Sequence, residues 1–93
     1  MLKVTVQLKG EARNSFDKIH KYLENDKLTI TSRRTDLDRK YRHEKHPKQW
    51  SIDDYVTIVT IVGGNSINLL EEVHRGVKTI NGIYPGSALI VEP

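Results

Sequence analysis

The run Asp54-Tyr-Val-Thr-Ile-Val-Thr-Ile-Val62 constrains the fold more than any other stretch of the chain. It is dense in β-branched residues, which suit a pleated strand. Side chains alternate across a strand. Val56, Ile58 and Val62 therefore share one face, and Tyr55, Val59 and Ile61 share the other. Both faces are apolar, and a strand of that kind sits centrally, with something covering both sides of its sheet.

The rest of the pattern arranges itself around this strand. Residues 2–9 alternate, with Leu2, Val4, Val6 and Leu8 opposed to Lys3, Thr5, Gln7 and Lys9. Period two with one polar face predicts a half-buried strand, which Gly10 ends. Over 11–25 the period changes: Ala12, Phe16, Ile19 and Leu23 form one stripe of an amphipathic helix. Glu11 suits its positive end, and Asn25-Asp26 suits its exit. Asn14-Ser15 offers a later start, with Asp17 placed as in a capping box. Residues 27–33 return to alternation, Leu28 and Ile30 against Thr29 and Thr31.

After the central strand, Gly63-Gly64-Asn65-Ser66 turns into a second helix that Asn65 or Ser66 can cap. Its stripe is Ile67, Leu70, Val73, Val77 and Ile80. Gly76 inside it costs about 1 kcal/mol against alanine, and Asn81-Gly82 is a stop signal. Tyr84-Pro85-Gly86 is a turn, and Ser87–Glu92 is a last strand.

The order is strand, helix, strand, strand, helix, strand. Two right-handed crossovers around a four-stranded antiparallel sheet, with both helices on one face, give the ferredoxin-like βαββαβ sandwich, an α+β fold. An open α+β sheet with another strand order is the alternative. Ninety-three residues leave room for one domain, 1–93. The 37% hydrophobic content supplies one core and argues against disorder. No apolar run approaches a membrane span, and Met1-Leu2-Lys3-Val4-Thr5 holds no apolar signal core. Cysteine is absent, which removes disulfides and thiolate chemistry. A cytoplasmic protein without membrane contact is the expectation.

The basicity of the chain is concentrated. Residues 33–48 carry seven Lys/Arg against three acids, a local charge of +4 in a chain of +3 overall. They form an insertion between the second and third strands. Thr35 with Asp38 resembles a capping box, and Leu37 and Tyr41 share a helical face, so 36–45 reads as a short helix ended by Pro47. A long hairpin projecting from strands two and three reads equally well. In either form Arg33, Arg34, Arg39, Lys40, Arg42, Lys45 and Lys48 make an electrostatic handle for an acidic protein surface or for phosphates. Tyr41 and Trp50 flank it and can stack on a base or fill a partner's pocket. A solvated surface segment is the plainer reading.

Enzyme chemistry is thinly represented. His43 and His46 share a helical face but lack further ligands nearby, so no metal site is expected. Gly63-Gly64-Asn65-Ser66 lacks the lysine of a phosphate-binding loop. Asp53-Asp54 and Glu71-Glu72 are neighbours whose side chains diverge. No cofactor and no catalytic residue is assigned. The aromatic platform of an RNA-recognition sheet is also missing.

One sheet face remains without a helix above it; strand three offers it either Tyr55, Val59 and Ile61, the set assigned to the oligomer interface, or Val56, Ile58 and Val62, and the 34–53 insertion folding back with Leu37, Tyr41, Trp50 and Ile52 is the alternative cover. A two-fold homodimer through that face is the simplest closure. The expected function is a non-catalytic interaction or regulatory module, oligomerising through its sheet and engaging an acidic protein through 33–48. Nucleic-acid binding through the same segment with Tyr41 and Trp50 is the alternative. A small-ligand sensor or enzyme with an interface pocket is the third reading. The match is to an architecture, and architecture does not specify function.

Overall fold

The computed structural model describes residues 3–37, 55–63 and 68–92. Four antiparallel strands form one sheet: β1 (Lys3–Leu8), β2 (Leu28–Leu37), β3 (Tyr55–Gly63) and β4 (Ala88–Glu92), in the spatial order β2-β3-β1-β4. Between β1 and β2 lie the short helices α1 (Gly10–Asn14) and α2 (Phe16–Ile19) and a 3₁₀ turn (His20–Tyr22). The long helix α3 (Leu69–Ile83) joins β3 to β4. The protein is therefore an α+β structure, and no helix among the described residues is long and apolar enough to cross a membrane.

The central position expected of 54–62 holds, since β3 pairs with both β1 and β2. Its register sets the faces. Val4 lies opposite Ile61 and Val6 opposite Val59, while Lys3, Thr5 and Gln7 lie opposite Val62, Thr60 and Ile58. The first set belongs to the core with Leu8, Leu28 and Ala88; Phe16, Ile19, Leu23, Val73 and Ile80 close over it from the helices. Burial of these aliphatics is the main favourable term in a domain of this size.

The first helical segment keeps its expected stripe but not its continuity. Ala12, Phe16, Ile19 and Leu23 are all buried. Ser15 leaves helical geometry at φ −105° and ψ 31°, and its side chain turns back to donate to Glu11. Serine readily makes such local bonds in place of regular helix. At the start, Gly10 adopts φ +60°, a value open to glycine at little cost, which turns β1 sharply into α1.

The second helix departs from expectation at both ends. Asn65 and Ser66 lie outside the described residues, but the cap belongs to Asn68, whose side chain accepts from the Glu71 N–H at 3.2 Å. At the other end the helix runs through Asn81-Gly82 to Ile83. Asn81 does not stop it because its amide has other work. Its oxygen accepts from the N–H groups of Ser87 and Ala88, and its nitrogen donates to the Ala88 carbonyl. The residue that reads as a terminator is the clamp holding β4 to α3.

Gly76 also has a role that helix propensity alone does not show. A Cβ there would overlap the Tyr22 carbonyl oxygen and lie 3.2 Å from Leu23 Cδ2. The glycine lets α3 sit against the backbone of the 3₁₀ turn, and this contact fixes how the two helical layers share the sheet.

Candidate functional site on the open sheet face

The basic stretch begins inside β2, and the backbone there decides where its charges go. The strand is longer than the expected 27–33. Thr35 faces Thr57, Asp36 faces Val56 and Leu37 faces Tyr55, so all three are extended. The short helix expected over 36–45 therefore does not begin at Asp36 or Leu37, which are extended and paired in register with Val56 and Tyr55. Over 34–37 the chain is paired strand, and the remainder of 36–45, on which the helix and hairpin readings differ, lies outside the described residues. Thr57 still has Leu8 of β1 on its other side, and the last two pairs extend past the end of β1. Arg39, Lys40, Tyr41, Arg42, Lys45, Lys48 and Trp50 lie outside the described residues, as do His43 and His46.

A bulge divides β2 into two halves of opposite facing. Ile30 pairs with Ile61, but Ser32 pairs with Thr60, so Thr31 is the extra residue. Its hydroxyl donates to the Thr60 carbonyl at 3.4 Å. A one-residue insertion exchanges the faces of every later side chain. Arg33 consequently lies opposite Val59, on the helix-covered side, and Arg34 lies opposite Ile58, on the open side.

The two adjacent arginines end in different surroundings. The Arg33 guanidinium carbon sits 3.9 Å from the centroid of the Phe16 ring. A cation over an aromatic face is attracted by the ring quadrupole. His20 joins this cluster: its ring stacks on Phe16 with centroids 5.8 Å apart and its Nδ1 lies 3.2 Å from the Phe16 carbonyl. Arg33, assigned to a partner from the sequence, is exposed and lies over a ring of its own scaffold.

Arg34 lines a depression of about 250 Å³ on the open face. Lys3 contributes a second cation, Ile58 and Val91 supply apolar wall, and Thr5, Gln7 and Thr60 supply hydrogen-bonding groups. Asp36 also reaches the depression, and its carboxylate accepts from the Leu37 N–H at 2.8 Å. Neither Lys3 nor Arg34 makes an ion pair with a carboxylate of the described residues. The carboxylates on α3 are answered elsewhere: Glu72 by Lys27 at 3.9 Å and by Arg75 at 3.4 Å, and Glu71 by Arg75 at 3.9 Å.

The apolar patch also changes place. Val59 and Ile61 are fully buried beneath the helices, and Tyr55 is half-buried on the same side of β3. The dimer face assigned to Tyr55, Val59 and Ile61 is thus the covered one, because β3 pairs Val59 with Val6 and Ile61 with Val4. Open-face apolar surface comes from β4, where Leu89 is 58% and Val91 38% exposed. The alternation of 88–92 was legible; which half faced out was not, because that depends on the pairing of Leu89 with Gln7 and Ala88 with Leu8.

Other sites show little chemistry. A second depression, about 530 Å³, lies where β1 meets the end of α3 and is lined by Gly10, Ile83, Tyr84 and Pro85. It holds no nucleophile paired with a base. Among the described residues no three His, Asp or Glu gather to hold a metal ion. Comparison of the chain with family models, with curated proteins and with solved structures finds no match to any of them.

Proposed function

We propose that the chain is a non-catalytic interaction module of ferredoxin-like topology that grips an acidic protein surface with the cationic side of its β2–β3 hairpin. The strand order supports the topology, because β4-β1-β3-β2 with helical crossovers after β1 and β3 is the split βαβ arrangement. A cytoplasmic setting suits a chain without cysteine.

One observation carries the reading: Arg34 is exposed on the face away from the core and lines the same depression as Lys3, with Asp36 the one acid among the lining residues and no ion pair from either cation to a described carboxylate. An arginine spent on stability would be placed as Arg33 is. An unpaired guanidinium keeps its planar fork for an incoming carboxylate. Basic residues later in 33–48 extend the same charge.

Titration with polyglutamate and with a mixed oligonucleotide at low salt tests this reading. Polyglutamate is expected to bind the parent protein, and Arg34→Glu is expected to abolish that binding without changing the thermal unfolding midpoint. Tighter binding of the oligonucleotide, with an affinity that falls steeply with salt as phosphate counterions are released, would assign the handle to nucleic acid instead.

A further inference from the structure

We infer that the open face receives an amphipathic acidic segment of the partner laid across the strands, with a carboxylate between Lys3 and Arg34 and an apolar side chain against Leu89 and Val91. This rests on the acidic-partner reading and adds the pattern the partner must carry. The face has two unlike halves. The register sets Arg34 opposite Ile58, Ile58 opposite Gln7, and Gln7 opposite Leu89, so the four lie in one line across the sheet. The cation stands on the edge strand β2 and the exposed leucine on the edge strand β4. Three strand spacings of about 4.8 Å separate them by roughly 14 Å.

Between these ends lie Thr5, Gln7 and Thr60 with the buried Ile58, and Asp36 stands two residues beyond Arg34 in the same depression, so the two cations exceed its acid by one charge. Each half alone would suit a simpler ligand. A bare anion needs only Lys3 and Arg34, and an apolar surface needs only Leu89 and Val91. A second copy paired face to face about a two-fold axis running across the strands brings the same Lys3 and Arg34 toward each other, which like-charge repulsion opposes. An RNA strand stacks on aromatic side chains, and among the described residues of this face there are none. A segment with an acidic end and an apolar end matches both halves at once. In a helix, which rises about 1.5 Å per residue, roughly 14 Å is some two and a half turns.

The test uses a synthetic helical peptide with two glutamates and, about two and a half turns further on, two leucines. Amide and arginine side-chain NMR signals of the whole protein are followed as it is added. Signals of Gln7, Arg34, Leu89 and Val91 are expected to move together. Arg34→Glu and Leu89→Asp are each expected to weaken binding by about tenfold or more, the worth of one charge-assisted contact or one lost apolar anchor. Leu89→Ser serves as a second variant, and retained strand signals confirm that each variant folds. If polyglutamate binds as tightly as the peptide and both Leu89 variants bind normally, the apolar half is idle; this inference falls while the acidic-partner reading stands. If neither acidic probe shifts Arg34, both fall. Glutamine-for-glutamate peptide binding equally well, or an isolated phosphate ion giving the same shifts at Leu89, also overturns the inference.

Discussion

The two faces of the sheet are built by the same four strands and have opposite characters. The covered face is closed by Phe16, Ile19, Leu23, Val73 and Ile80. The open face mixes two cations, the Asp36 carboxylate, three uncharged polar groups, the buried Val56 and Ile58 and the exposed Leu89 and Val91. Arg33 and Arg34 make the contrast at the scale of one peptide bond. One is held against Phe16 and the other is held out beside Lys3. Residue type therefore says little about role here; the parity of the strand position says most of it.

Paired substitutions can sharpen or break that contrast. Ile61→Ala, in the core, is expected to cost about 3 kcal/mol, whereas Leu89→Ala on the open face is expected to change stability by less than about 0.5 kcal/mol. Comparable losses in urea unfolding would mean that the open face is covered by something else. Within α3, Gly76→Ala is expected to cost about 2–3 kcal/mol, because its methyl meets the Tyr22 backbone, which cannot rotate away. Gly82→Ala, with open space around it, is expected to stabilise by about 0.5–1 kcal/mol. Equal effects at the two glycines would refute the close approach of α3 to the 3₁₀ turn. Asn81→Ala removes three hydrogen bonds, two to Ala88 at the start of β4 and one to Ser87 before it, and is expected to cost about 2 kcal/mol, with amide exchange fastest in Ala88–Glu92. The smallest expected effect separates the arginines. Arg33→Ala should lower stability by about 0.5–1 kcal/mol through loss of the ring contact, while Arg34→Ala leaves the unfolding midpoint in place. The reverse result would invert their assigned faces.

Much of the architecture was legible because hydrophobic periodicity is a direct image of burial. Val4, Val6, Leu8 and the Ala12-Phe16-Ile19-Leu23 stripe all reach the core as their spacing requires. Three features were not legible, and each depends on a contact between distant segments. Gly76 reads as a helix weakness until Tyr22 is placed against it. Asn81 reads as a stop until Ala88 arrives to accept and donate. The facing of β3 stays ambiguous when both sides are apolar, and only its register with Val4 and Val6 resolves it.

The candidate site was legible in part. The cationic character of 33 and 34 stands in the sequence, but their separation does not, since nothing in Thr29-Ile30-Thr31-Ser32 announces an extra residue. Lys3, Thr5 and Gln7 were readable as a polar strand face. Their meeting with Arg34 across β3 was not, because it requires the spatial order of the strands.

The Thr31 bulge has an evolutionary corollary. It uncouples the distal part of β2 from the proximal part, so that gain or loss of a single codon near this point would trade which arginine is displayed while Leu28 and Ile30 keep their places inside. Relatives that differ by such an indel would share a hydrophobic interior yet offer different recognition chemistry, and sequence alignment that ignores the shift would match the wrong residues.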